Sequence, residues 1–219
     1  MGKKIVTNPS GLPEGFLYRR EFLSIKEEQA LFKIFEEVDF KTFNFQGYVA
    51  KRRVIEYGLA YDFRARRTQA TEATPEYLQG LKSRVAELAG TDPDRIAEAI
   101  VIEYSPGSPI GWHRDAPQFE IIMGISLGSS CRMRFKPYKG EGKIVSMVLE
   151  PRSAYVMRGP ARSEFQHSIP AVEALRYSIT FRTLRNTAIS SARSGAGRTI
   201  SQSRTLSDAG QPDTSGRAY

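Results

Sequence analysis

Hydrophobic positions along the chain fall into two textures. In the first ninety or so residues they recur at helical spacing. Over 24–38 (SIKEEQALFKIFEEV), Leu31, Ile34, Phe35 and Val38 form an apolar stripe that predicts a helix. Ser24 stands where an N-cap is wanted, and Glu27 completes a capping box. A second helix is predicted over 75–88, with Thr74 as N-cap, Pro75 at the first position and Gly90 just past the end. Between the two, residues 45–63 read as extended, hairpin-forming segments around Gly47 and Gly58.

From Ala97 the period shortens. Apolar, β-branched runs follow one another at 99–104, 110–113, 120–127, 131–136, 144–149, 153–157 and 176–183. Turn residues divide them, among them Pro106-Gly107, Gly128-Ser129-Ser130, Gly140-Glu141-Gly142 and Gly159-Pro160. Many short strands at this spacing predict a sandwich, barrel or jelly roll, a mainly β fold with flanking helices (α+β) packed outside the sheet. After Arg185 large apolar residues nearly vanish. Residues 187–219, rich in Ser, Gly and Arg, bury too little to offset ordering and predict a disordered basic tail.

Composition fits one ordinary domain. Of 219 residues, 40% are hydrophobic and 26% charged, and no apolar run is long enough for a membrane span. The first residues lack the apolar stretch of a secretory signal, so a cytoplasmic, monomeric protein is expected, or a nuclear one in a eukaryote. The single cysteine, Cys131, excludes an internal disulfide, a zinc ribbon and an iron–sulfur site, and reads as a small buried residue. The net charge of +8 suggests a polyanionic partner. Much of the charge lies within 41–67, where Lys41, Lys51, Arg52, Arg53, Arg64, Arg66 and Arg67 alternate with Phe43, Phe45, Tyr48, Tyr57, Tyr61 and Phe63. That mixture suits phosphate contact and base stacking. It equally suits a half-exposed hairpin with its aromatics in the core.

The chain has only two histidines. His113 opens His113-Arg114-Asp115, and His167 lies far downstream in Phe165-Gln166-His167-Ser168. Residues i and i+2 of a strand face the same way, so His113 and Asp115 can present an imidazole and a carboxylate together. A second imidazole from another strand would complete the two-histidine, one-carboxylate set of non-haem iron(II) oxygenases. Three hydrogen-bonded residues with no metal role remain the alternative. In 176–182 (RYSITFR), Tyr177, Ile179 and Phe181 alternate with Arg176, Ser178, Thr180 and Arg182. The two arginines stand roughly 20 Å apart at about 3.3 Å per residue and can bracket a small dicarboxylate. A charged outer face on an edge strand is the competing reading.

Residues 102–115 (IEYSPGSPIGWHRD), 120–128 (EIIMGISLG), 156–170 (VMRGPARSEFQHSIP) and 176–182 together resemble the AlkB family of nucleic-acid dioxygenases. The likeness covers roughly 12–185 and is clearest from about residue 99. It implies a double-stranded β-helix core over about 97–185, inside a domain of 1–186, with iron(II), 2-oxoglutarate and molecular oxygen. It implies that His113, Asp115 and His167 ligate iron. Arg176 would pair with the distal carboxylate of 2-oxoglutarate, Arg182 would lie near its other end and Asp115, and Tyr104 would hydrogen-bond it. Residues 41–67 fall where the family has its nucleotide-recognition lid, and the substrate contacts expected from the resemblance are Arg52, Arg53 and Tyr57 there and Arg114 in the HxD segment. The implied activity is oxidative demethylation of alkylated DNA or RNA bases. The same chemistry on a protein or a modified tRNA is the alternative, as is a non-catalytic nucleic-acid-binding domain. Two positions depart from the family pattern. Ile102 stands where a cosubstrate-binding asparagine is familiar, and Pro117 where some members carry a base-reading acid.

Overall fold

The computed structural model describes residues 6–7, 11–45, 48–62 and 67–185. In chain order the strands are β1 (Val6–Thr7), β2 (Phe16–Arg19), β3 (Lys41–Phe45), β4 (Tyr48–Asp62), β5 (Arg67–Ala70), β6 (Ile96–Tyr104), β7 (Ile110–His113), β8 (Phe119–Gly128), β9 (Cys131–Pro137), β10 (Val145–Leu149), β11 (Ser153–Met157), β12 (Phe165–Ile169) and β13 (Arg176–Leu184). The helices are α1 (Ile25–Glu37), α2 (Glu76–Ala89) and the single turn α3 (Gly159–Ser163). Among the described residues the strands form two antiparallel sheets. The larger runs β1-β2-β11-β8-β13-β6-β4-β3, with β5 paired to β4, and the smaller runs β10-β9-β12-β7.

Three layers result. One core joins α1 and α2 to the outer face of the large sheet, through Leu31, Phe35, Leu78 and Val85 against Val101, Ile125, Ile179 and Phe181. The other lies between the sheets, where Phe16, Ile100, Tyr104 and Ile122 meet Met133, Phe135, Leu149 and Ile169. Strand β13 is central and serves both layers. Its odd positions enter the helix-side core, and Arg176, Ser178, Thr180 and Arg182 turn into the space between the sheets. The predicted alternation is thus observed, and the arginines occupy the inner face of a central strand, not an outer edge.

The Ser24 and Glu27 capping box is present, and Gly90 closes α2 in the left-handed conformation at φ 62°. Other boundaries differ. Thr74 does not cap α2. Pro75 itself takes the cap position in an extended conformation, and the helix begins at Glu76. Gly58 makes no hairpin. It bends β4 at φ +83°, where that strand leaves β6 for β5, and a Cβ there would meet the Ala97 carbonyl oxygen at 2.3 Å. The sheet also extends beyond 97–185, because β2, β3 and β4 are strands of the large sheet. Phe63, Arg64, Arg66 and the tail from 187 lie outside the described residues.

Candidate metal and cosubstrate site

The two histidines come from neighbouring strands of the small sheet. His167 on β12 is in register with His113 on β7, and their ring centres are 4.2 Å apart. Asp115 is not held by strand alternation, because β7 ends at His113. Two arginines, half-buried Arg182 and buried Arg162, fix it instead. Arg182 Nη2 donates to Asp115 Oδ1 at 2.7 Å. Arg162, from α3, donates to the carbonyl oxygens of Asp115, Ala116 and Phe119 at 3.1, 2.6 and 3.1 Å. Arg182 also donates to Glu98 Oε2 at 2.7 Å, so one guanidinium bridges two buried carboxylates.

These charges set the protonation of the site. Burial alone would raise the Asp115 carboxyl, but Arg182, His167, His113 and Arg162 hold it well below the usual carboxylate range. Burial, with His113 adding to it, pushes the His167 imidazole down to about 3 against the pull of Asp115. His167 is therefore neutral, and the 3.7 Å between its Nε2 and Asp115 Oδ2 is neither an ion pair nor a hydrogen bond. Burial raises Glu98 to about 7, although Arg182 draws it down.

Among the described residues, no three His, Cys, Asp or Glu side chains converge closely enough to hold a metal ion as they stand. His113, Asp115 and His167 instead line one cavity between the sheets. Their chemistry fits iron(II): two imidazoles and a carboxylate are the donor set of a facial triad. Asp115 Oδ2 is buried without a hydrogen-bond partner. His113 Nδ1 lies 2.9 Å from the Gly111 carbonyl oxygen, which orients the ring and leaves Nε2 for a ligand.

The other end of the cavity is built for an anion. Arg176 is 1% exposed. Its Nε donates to Ser126 Oγ at 3.2 Å, its guanidinium lies 4.7 Å from the Tyr104 ring centre, and its Nη1 has no partner. A buried guanidinium with an unused donor suits a carboxylate. Ile102, in place of an asparagine, adds only an apolar wall. Tyr155 lines the same space, and sequence reasoning passed over it. It sits opposite Gly124 on β8, where a Cβ would meet the Tyr155 ring at 2.2 Å, so this glycine makes room for the phenol.

The family model for the 2OG-Fe(II) oxygenase superfamily matches residues 15–182. The chain belongs to the 2OG-Fe(II) oxygenase superfamily. Membership of this superfamily implies iron(II), 2-oxoglutarate and oxygen as cofactor and cosubstrates, and within it the chain is similar to AlkB-like proteins. It is 31% identical over 167 residues to the mouse (Mus musculus) tRNA (carboxymethyluridine(34)-5-O)-methyltransferase ALKBH8, covering 72% of this chain and 24% of that protein. It is 28% identical over 167 residues to the bovine (Bos taurus) alpha-ketoglutarate-dependent dioxygenase alkB homolog 7, mitochondrial, covering 73% and 69%. The chain thus spans only a quarter or so of the mouse relative's length. The solved structure of OsALKBH1 shares the fold, with a TM-score of 0.61 at 15% identity over 82% of this chain and 100% of that one. The expected jelly-roll fold is borne out.

In this oxygenase the residues expected to touch substrate are dispersed. Tyr57 is 5% exposed and packs in the helix-side core, its hydroxyl 3.2 Å from that of Tyr77, so it offers no face to a base. Arg53 forms a two-point pair with Glu103 at 2.8 Å for each bond, which neutralises the charge a phosphate would need. Both corrections follow from β4 being a paired strand whose aromatic side faces α1 and α2. Arg52 points to the other side, where burial pulls its pKa down and Tyr104 opposes that. Arg114 is exposed at the cavity rim, donates to the Ser163 carbonyl oxygen at 3.0 Å and lies over the Tyr138 ring at 3.6 Å. Cys131 is buried as expected, and burial pushes its thiol up. Glu98 and Arg162 were missed. An acid within the apolar run 96–104, which holds Glu98 and Glu103, is a usable signal for Glu98; Arg162 carries none.

Proposed function

We propose that the chain oxidatively demethylates alkylated nucleic-acid bases, with His113, Asp115 and His167 holding iron(II) and Arg176 and Tyr104 holding 2-oxoglutarate. The observation that carries the reading is the pairing, in one cavity, of two imidazoles and a charged carboxylate with a buried arginine whose Nη1 is unused. Bound iron(II) would supply open coordination positions at which 2-oxoglutarate and oxygen meet, yielding succinate, carbon dioxide and a hydroxylated methyl group that leaves as formaldehyde. Arg176 orients the cosubstrate through its distal carboxylate. Arg182 keeps Asp115 ionised and turned to the metal, and Arg162 fixes the loop that carries it. The inter-sheet side chains Ile102, Ile122, Met133 and Ile169 keep the cavity wall apolar, which limits water at the reacting groups. The net charge of +8 and the AlkB-like relatives support a nucleic-acid substrate.

A modified tRNA is the second reading, favoured by the similarity to the mouse tRNA (carboxymethyluridine(34)-5-O)-methyltransferase ALKBH8. Both are tested by a panel of methylated single- and double-stranded DNA and RNA oligonucleotides and a tRNA digest, followed by mass. Loss of a methyl group that requires iron(II) and 2-oxoglutarate supports the proposal. Succinate release with every nucleic acid left unchanged would overturn it.

A further inference from the structure

The outer face of the small sheet carries cations for which the chemistry above has no use. Along β9, Cys131, Met133 and Phe135 are buried, so Arg132, Arg134 and Lys136 stand on the opposite face. Successive members of such a row are about 6.6 Å apart. None of the three forms an ion pair among the described residues. Arg132 donates to Ser146 Oγ at 3.2 Å and Arg134 to Ser168 Oγ at 3.1 Å. Trp112 of β7 reaches across to the row, with Arg134 at 5.0 Å and Lys136 at 4.7 Å from its ring. These charges are therefore held in place by an aromatic ring and hydroxyls, with no carboxylate to neutralise them.

The row also leads somewhere. His167 pairs with Phe135 on one side and His113 on the other, so the three make one inward-facing line across the sheet. Lys136 pairs with Gln166, one step further on and on the outer face. Arg114 follows His113 at that end, stacked on Tyr138, which is 44% exposed. Cations and an accessible aromatic ring thus run along the outer face to the rim beside His113 and Asp115.

Regularly spaced, unneutralised cations match a polymer with regularly spaced negative charge. We propose that this face is a track for the phosphate backbone of a single-stranded nucleic acid, which Arg132, Arg134 and Lys136 contact and which enters the cavity past Arg114 and Tyr138. The proposal rests on the nucleic-acid reading above and places the backbone outside the β3–β4 region. Ile144 and Val148 are exposed beside the row, which makes an anionic lipid surface the competing ligand.

The test is fluorescence anisotropy of short unmethylated RNA and DNA strands with the full chain, across a salt series. The variants are the triple Arg132→Gln, Arg134→Gln, Lys136→Gln and the single Arg132→Gln. Three lost phosphate contacts should flatten the log–log salt slope by about 2, at roughly 0.7 per contact, and weaken low-salt binding by about tenfold or more. The single variant should show about a third of the slope change. A triple variant with wild-type affinity and slope overturns the track while leaving the nucleic-acid reading intact. A wild type that binds no strand at low salt overturns that reading, and the track with it. Loss of binding to phosphatidylserine vesicles with strand binding unchanged overturns the track in favour of a membrane. If the triple variant melts early, Arg132→Gln against Arg132→Glu decides: graded weakening supports the track, and no change overturns it.

Discussion

The inter-sheet cavity and the β3–β4 region draw on the same residue types, arginines and aromatics set among apolar neighbours, and use them in opposite ways. In the cavity, buried Arg176 and half-buried Arg182 lie on the inner face of a central strand; Arg182 donates to Asp115 and Glu98, and Arg176 keeps its Nη1 without a partner. In β4, Arg53 is half-exposed and satisfied by Glu103, and Tyr57 fills a core. The difference is burial combined with unused bonding capacity. A buried guanidinium with a free donor must meet an anion, whereas a surface guanidinium already paired has little left to offer.

Removing a metal donor should break the cavity side most severely. Asp115→Asn or His167→Ala is expected to abolish iron(II) uptake and bring succinate release to background, read by metal analysis and by turnover. Arg176→Leu comes next. Truncating one partner of a buried charge pair costs about 2–5 kcal/mol, so the KM for 2-oxoglutarate should rise at least about thirtyfold, with partial recovery in Arg176→Lys, which keeps the charge without the fork.

Glu98 offers a pH test of the same network. Its folded pKa, about 7, lies above its ordinary value of 4.5, so the folded state binds a proton that the unfolded state has released between those values. Glu98 therefore favours folding less as pH rises through that window. Glu98→Gln should gain on the metal-free wild type between about pH 4.5 and 7, by a few kcal/mol at most, in urea melts at stepped pH. His167 acts with the opposite sign between about 3 and 6.5 and is common to both proteins, so only the difference is diagnostic. The smallest effect belongs to β4. Arg53→Ala should cost about 1 kcal/mol or less and leave the oligonucleotide salt dependence, read by anisotropy, nearly unchanged, because the proposed backbone track lies outside β4.

The same contrast explains what could be read along the chain. Period-2 alternation in β13 placed Arg176 and Arg182 on one face, and the structure keeps that arrangement. The capping box and Gly90 are local signals and survive as such. What failed was decided at a distance. Whether Tyr57 faces solvent or core depends on α1 and α2 covering the large sheet, which nothing within 41–67 encodes. Asp115 lines the cavity beside His113 not through strand alternation but because Arg182 and Arg162, far along the chain, hold it after the strand has ended. Tyr155 escaped notice because its role depends on Gly124 across the sheet.

The central claim is that the cavity binds 2-oxoglutarate through the metal and Arg176 together. Anaerobic calorimetry of 2-oxoglutarate into the full chain, with and without iron(II), tests it most directly. The account predicts one site per chain, at least about tenfold tighter with iron(II), a difference of about 1.4 kcal/mol. Equal affinity in the presence and absence of iron(II) would contradict it.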